Sequence, residues 1–373
     1  MIEAQTAMQT RPEESAGKDL RSGKKLLYCL CLSLFSLLLL FPSLISAQVN
    51  KQTGAAPKPT PDGDEIDEGD VISVSTSEVM LPVTVRDSNG RLVTTLTREN
   101  FRVFEDGREQ PLSDLALRQV PVDVVLMVDA SSSAAANLDD FQRAVEGFAA
   151  KLGADDRISL IKFDDRVELL QDWTQSRVQL RRSLRRIVPG VFTLFNDALL
   201  LAAREQLSRA RGRHAVIVLT DGIDSGRGYS TLEAALRALL EAQATIYVVS
   251  NTEIERQKKR QELDSLLAST PSVARFNELR ISDLREGLRV LDVSERNLSQ
   301  LTTATGGRLY KPSSFDELDA TYREVAEELR HQYALYYTPL NKTRDGRFRR
   351  VRVETTTPSN KVSARIGYFA PGK

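Results

Sequence analysis

Between residues 122 and 250 the chain alternates two rhythms, and no other feature limits its fold as much. The apolar runs VDVVLMVDA, DRISLIKF, HAVIVLTDG and ATIYVVSN are separated by helical spacing at 138–152, 175–187, 195–210 and 231–243. Strands that are apolar on both sides need cover on both sides. The pattern therefore predicts an α/β unit: a doubly wound, mostly parallel sheet with helices on each face. VELLQDWT, directly after LIKFDDR, reads as an antiparallel edge hairpin.

The flanking segments have a period of two instead. From Val71, VISVSTSEVMLPVTVRDSNGRLVTTLTRENFRVFEDGREQPLSDLAL alternates apolar and polar residues, with turns at Ser88-Asn89-Gly90 and Glu105-Asp106-Gly107. YALYYTPL, RFRRVRVETTT and KVSARIGYFAP repeat that texture at the far end. About fifty residues of strand bury too little surface to stand alone. The two ends, 71–118 and 334–373, are therefore expected to pair into one small β-sandwich. The α/β unit, 119–333, is inserted between them, and its last helix, Phe315 to Tyr333, leads straight into the C-terminal strands. The charged segment 253–293 has helical spacing and leaves the carboxyl end of ATIYVVS. It reads as an insertion, either a wall beside a site on that edge or a surface decoration.

Lys24 and Lys25 precede LLYCLCLSLFSLLLLFPSLISAQ, which ends in Ser46-Ala47-Gln48. Residues 1–47 read as an export signal cut after Ala47, or as an uncleaved membrane anchor. Both cysteines, Cys29 and Cys31, lie in that run, so the remainder has no disulfide framework, thiolate zinc site or thiol nucleophile. Residues 48–70, rich in Pro, Gly and acids, read as a disordered acidic linker. Lys+Arg and Asp+Glu both total 51, so no global charge points to nucleic acid or a membrane surface. The expected location is secreted or in the cell envelope.

In an open α/β sheet, ligands bind beyond the carboxyl ends of the strands. Three loops there carry oxygen donors. The first offers Asp129, Ser131 and Ser133 as D-x-S-x-S; PGVFTLFNDAL offers Thr193; LTDGIDSG offers Asp221 and, as second choice, Asp224. Carboxylates and hydroxyls without His or Cys form a hard set, suited to Mg²⁺, Mn²⁺ or Ca²⁺ rather than zinc. Two aspartates only balance a divalent ion, so a position left to water favours a carboxylate supplied by a protein partner. Taken alone, Ser131 and Ser133 read equally well as helix caps or as a nucleophile. A Ser-His-Asp hydrolase lacks the G-x-S-x-G turn, and His214 starts its strand at the opposite edge of the sheet. No G-x-G-x-x-G follows a strand, and no enzymatic activity is expected.

D-x-S-x-S after the first strand, a Thr before DAL and an Asp in LTDG together resemble the metal-ion-dependent adhesion site of von Willebrand factor type A domains. The resemblance covers about 122 to 332. It implies that Ser131, Ser133 and Thr193 contact an ion, with Asp129 and Asp221 doing so directly or through water. Ser132 stands where the family often has Gly, and Gly190-Val191-Phe192 where it often has paired glycines. The flanks, including ATGGRLYKPSSFDELDATYREVAEELRHQYALYYTP, resemble secreted type-A-related proteins of acidobacteria. The expectation is an exported, metal-dependent, adhesion-type module that recognises an acidic group on a macromolecular partner. The alternative is an envelope structural or assembly protein whose metal site only stabilises the fold.

Overall fold

A computed structural model describes residues 78–117, 120–131 and 138–372. The export signal or anchor, the acidic linker, the start of the first strand block and Ser133 lie outside the described residues.

The N-terminal block forms β1 (Val79–Arg86), β2 (Phe101–Glu105), β3 (Arg108–Gln110) and β4 (Leu112–Leu117). The α/β unit begins with β5 (Val122–Asp129), α1 (Leu138–Ala149), β6 (Arg157–Phe163), β7 (Val167–Thr174) and α2 (Arg177–Leu184). It continues through α3 (Phe195–Leu201), β8 (Arg213–Thr220), α4 (Leu232–Glu241), β9 (Thr245–Ser250) and α5 (Thr252–Leu267). α6 (Pro271–Phe276), α7 (Glu278–Thr305), β10 (Arg308–Tyr310) and α8 (Leu318–Arg330) follow. The C-terminal block contributes β11 (Tyr333–Tyr337), β12 (Phe348–Thr355), β13 (Lys361–Ala364) and β14 (Gly367–Phe369).

The central sheet has the order β10-β9-β8-β5-β6-β7, and every pair is parallel except β6 with β7. β5 is buried along its whole length, which is why it reads as an unbroken apolar run. On one face Val124, Leu126 and Val128 pack with Phe141, Phe148 and Tyr322 from α1 and α8. On the other, Val125 and Met127 pack with Phe195, Leu199 and Leu239 from α3 and α4. The sixth strand, β10, escaped the sequence reading because three residues show no period; it pairs parallel to β9, with Arg308 opposite Tyr247. The helix expected at 195–210 changes type: α3 passes into a π turn (Ala202–Gln206) and then a 3₁₀ turn (Leu207–Arg209).

The terminal blocks interleave. One antiparallel sheet has the order β13-β1-β11-β4 and the other β14-β12-β2-β3. Their inner faces share one apolar cluster, with Leu81, Val83, Phe101, Val103, Tyr333, Leu335, Tyr337 and Val351 at its centre. N- and C-terminal strands thus build the sandwich together, as the shortness of each block required. Glu105 is buried inside it but well supplied: it accepts from Tyr368 Oη at 2.8 Å, Tyr337 Oη at 3.0 Å and Arg349 Nη1 at 3.2 Å. The chain leaves the sandwich after β4 and returns in β11, its antiparallel neighbour, with Leu117 opposite Tyr333.

The segment 253–293 folds as α5, α6 and the first half of α7. Arg256, buried between α5 and α7, joins them through Glu295 at 2.6 Å and Asp292 at 3.1 Å.

Candidate metal centre

β5 and β8 lie side by side in the middle of the sheet, and the strands that follow them in sequence lie on opposite sides. This reversal leaves a crevice at their carboxyl ends. Asp129 is the last residue of β5, and Asp221 follows the last residue of β8.

Asp129 is 2% exposed. Its Oδ2 accepts the Thr220 hydroxyl at 2.7 Å, and its Oδ1 accepts the Ser131 amide at 3.0 Å. Burial pushes this carboxyl above its ordinary pKa, and the nearby Asp164 adds to the rise, while the Ser131 and Thr220 hydroxyls pull against it. Asp221 is 9% exposed. Burial first, then repulsion from Asp129, pushes its pKa up to about 7, against the Ile223 amide that it accepts at 3.0 Å. Asp129 therefore makes Asp221 harder to ionise, as expected of two buried like charges.

The Thr193 loop is tied to the ends of β5 and β6. Gly190 donates its amide to the Ala130 carbonyl at 2.8 Å, and Leu194 donates to the Asp164 carbonyl at 3.2 Å. Asp165 Oδ1 accepts the amides of Val191 at 3.1 Å and Phe192 at 2.7 Å. A Cβ on residue 190 would lie 2.6 Å from the Asp164 carboxyl carbon, so this position must be glycine. The single Gly190 thus meets the demand for close approach where paired glycines were expected. The Thr193 carbonyl in turn accepts both the amide and the hydroxyl of Ser225 at 2.9 Å, which joins the second loop to the third.

The structure brings Asp129, Ser131, Thr193 and Asp221 to one sheet edge; Ser133 lies outside the described residues. Asp224 has another task. Its Oδ2 accepts the Asn196 amide at the start of α3, at 2.9 Å, and its Oδ1 accepts the Gly226 amide at 2.8 Å. His214 stands at the amino end of β8, with Nδ1 2.6 Å from the Ala242 carbonyl.

Several supporting residues were missed in the sequence reading. Asp165 holds the Thr193 loop, and buried Asp164 pairs with Lys162 at 2.7 Å. The only sequence signal for either was an acidic pair at a strand's carboxyl end. Ser294 on α7 donates its hydroxyl to the Asp221 carbonyl from 73 residues away. Around the edge, Val191 is 64% exposed, Tyr229 is fully exposed, and the Arg227 guanidinium lies 3.5 Å above the Phe192 ring.

Among the described residues, no three His, Cys, Asp or Glu side chains converge as a metal set. The donors at this edge are instead two buried carboxylates with neighbouring hydroxyls. That chemistry fits a hard divalent ion, which would neutralise the mutual repulsion of Asp129 and Asp221.

Among the described residues, no helix is long and apolar enough to cross a membrane. No curated protein matches the chain. Among solved structures, mussel proximal thread matrix protein 1 is similar at 15% identity and a TM-score of 0.43, covering 60% of this chain and 49% of that one. A von Willebrand factor type A protein from Catenulispora acidiphila is similar at 9% identity and a TM-score of 0.43, with 80% and 75% covered. The vWF domain of the type V pilus tip protein Mfa5 from Porphyromonas gingivalis is similar at 14% identity and a TM-score of 0.37, with 56% and 95% covered. The chain thus spans about half the length of the mussel protein, 49%. A family model, von Willebrand factor type A domain, matches residues 123–287, the stretch that holds Asp129, Ser131, Thr193 and Asp221. Over that stretch, 123–287, the chain carries a von Willebrand factor type A domain.

Proposed function

We propose that this chain is an exported protein-binding module that uses a divalent ion, Mg²⁺ or else Mn²⁺ or Ca²⁺, to recognise a carboxylate on a macromolecular partner. Asp129, Ser131, Ser133, Thr193 and Asp221 would hold the ion. The observation that carries this reading is the pair of buried aspartates on adjacent strand ends, the charge of Asp129 adding to the rise in the Asp221 pKa. Such a pair is a standing demand for positive charge.

The chain's own residues do the preparatory work. Thr220 and the Ser131 amide fix both oxygens of Asp129. Ala130, Asp164 and Asp165 fix the Thr193 loop, so Asp129 and this loop would need little rearrangement when an ion arrives. A divalent ion there would supply the positive charge that draws a partner's carboxylate. Exposed Val191 and Tyr229, with the stacked Arg227 and Phe192, offer a rim for the partner's neighbouring side chains. We read this as recognition without bond making or breaking.

The test is titration calorimetry of Mg²⁺, Mn²⁺ and Ca²⁺ into the wild type and Asp221→Ala, with circular dichroism as the check on folding. Ion binding lost in folded Asp221→Ala supports the site, and equal binding by both proteins sinks it. A carboxylate-bearing partner held only with the ion would separate recognition from a metal that merely stabilises an envelope component. In the latter case the ion raises the melting temperature and no partner responds to it.

A further inference from the structure

α7 touches the candidate metal edge at one point and the sandwich at another. Ser294 donates its hydroxyl to the Asp221 carbonyl. One turn further on, Leu298 fills the space above Gly222, whose φ is +70° and whose Cβ, if present, would lie 2.7 Å from that leucine. At the helix end, the Ala304 carbonyl accepts the Ile366 amide at 2.9 Å. Gly306 ends α7 with φ +78°, and a Cβ there would lie 2.5 Å from the backbone of Ala364 and Arg365. A Cβ on Gly307 would lie 1.8 Å from the Ile246 carbonyl of β9. Ser294 and Ala304 are ten residues apart, roughly 15 Å along a helix.

These contacts have little slack. The sandwich end is backbone against backbone, with no side chain to deform, and the metal end is one hydrogen bond and one leucine on a glycine. Between them Leu298, Leu301, Thr302 and Thr305 are buried along a continuous α-helix. Close-packed contacts of this kind transmit displacement instead of absorbing it.

We propose that α7 is a positioning strut for the metal centre: Ser294 and Leu298 set the Asp221 loop, and the seating of Ala304 and Gly306 on the sandwich, with Gly307 against β9, sets α7. Ion binding and sandwich packing are then coupled, in both directions. The coupling rests on the metal reading above.

The experiment compares Gly306→Ala with Gly90→Ala in the full chain. Gly90 also has a positive φ, +81°, but nothing lies within 4 Å of its missing Cβ, so this substitution strains the sandwich without touching α7. Both variants are expected to lower the melting temperature. Only Gly306→Ala, and separately Ser294→Ala, should weaken Mg²⁺ binding, by about tenfold, as remote supports of metal ligands do. In the wild type, saturating Mg²⁺ should slow hydrogen exchange at the Ile366 amide, a readout that needs no substitution. An ion bound equally well by the wild type, Ser294→Ala and Gly306→Ala, with Ile366 exchange unchanged, overturns the strut alone. No ion bound by the wild type overturns the metal reading and the coupling with it.

Discussion

The carboxylate of Asp129 accepts the Thr220 hydroxyl at 2.7 Å, across the two strands that flank the reversal of the sheet. The same hydroxyl oxygen accepts the Gly222 amide at 2.9 Å, so one atom positions the first aspartate and the loop that holds the second. Thr220→Val keeps the branched shape a strand prefers and removes both bonds. We expect a loss of about 1–2 kcal/mol in urea denaturation and an ion affinity about tenfold weaker by calorimetry. Unchanged affinity would show that Thr220 does not position the donors.

Gly190→Ala places a methyl 2.6 Å from the Asp164 carboxyl carbon. Overpacking of this kind costs about 1–3 kcal/mol, and the displaced loop carries Thr193 away from the edge. Val191→Ser, one residue on and exposed, should stay within about 0.5 kcal/mol of wild type. Denaturation midpoints of the two variants, measured side by side, check this. Equal midpoints would mean that the loop accommodates a Cβ.

A third prediction concerns acid stability. Burial raises the pKa of Asp123, but the Arg157 guanidinium and the amides of Arg211 and Gly212 outweigh it and hold the carboxyl below its ordinary value. A depressed carboxylate stabilises the fold above its unfolded pKa, about 3.9. That contribution disappears as pH falls through the lower, folded value. Asp123→Asn should therefore lower stability near neutral pH and flatten the loss that wild type shows below about pH 4. Urea midpoints across the acid range test this, and parallel curves for the two proteins would count against it.

In the sandwich, Glu105→Ala strands Arg349, whose Nη1 it accepts at 3.2 Å, and removes the partner of Tyr337 and Tyr368. Leaving a buried charge unpaired costs about 3–5 kcal/mol. Tyr337→Phe, which removes one hydroxyl, should cost about 1 kcal/mol. Comparable losses for the two variants would mean that the arginine finds another partner.

Much of this architecture was legible in the chain because it depends on local rhythm. β5 is apolar at nearly every position because both its faces are covered, and Asp129 and Asp221 could be placed because strand ends are visible in sequence. What escaped depends on distant contacts. Helical spacing was visible over 253–293, the first half of α7 included, but nothing local says that Ser294 reaches Asp221 or that Ala304 meets Ile366. Asp165 is locally one of an acidic pair, and the amides that it accepts, those of Val191 and Phe192, lie 26 and 27 residues away. β10 is only three residues long and owes its existence to β9 alongside it.

Leu117 and Tyr333 face each other across adjacent antiparallel strands, although the whole α/β unit lies between them in the chain. Topologically, β4 and β11 are the two arms of a hairpin whose loop has become a domain. The sandwich keeps this strand pairing while hosting it, because departure at Leu117 and return at Tyr333 lie directly opposite each other. A short turn could therefore bridge the two arms, and the α/β unit could be transplanted by its neighbouring ends into another hairpin. Such a graft would leave behind the support that α7 draws from Ile366.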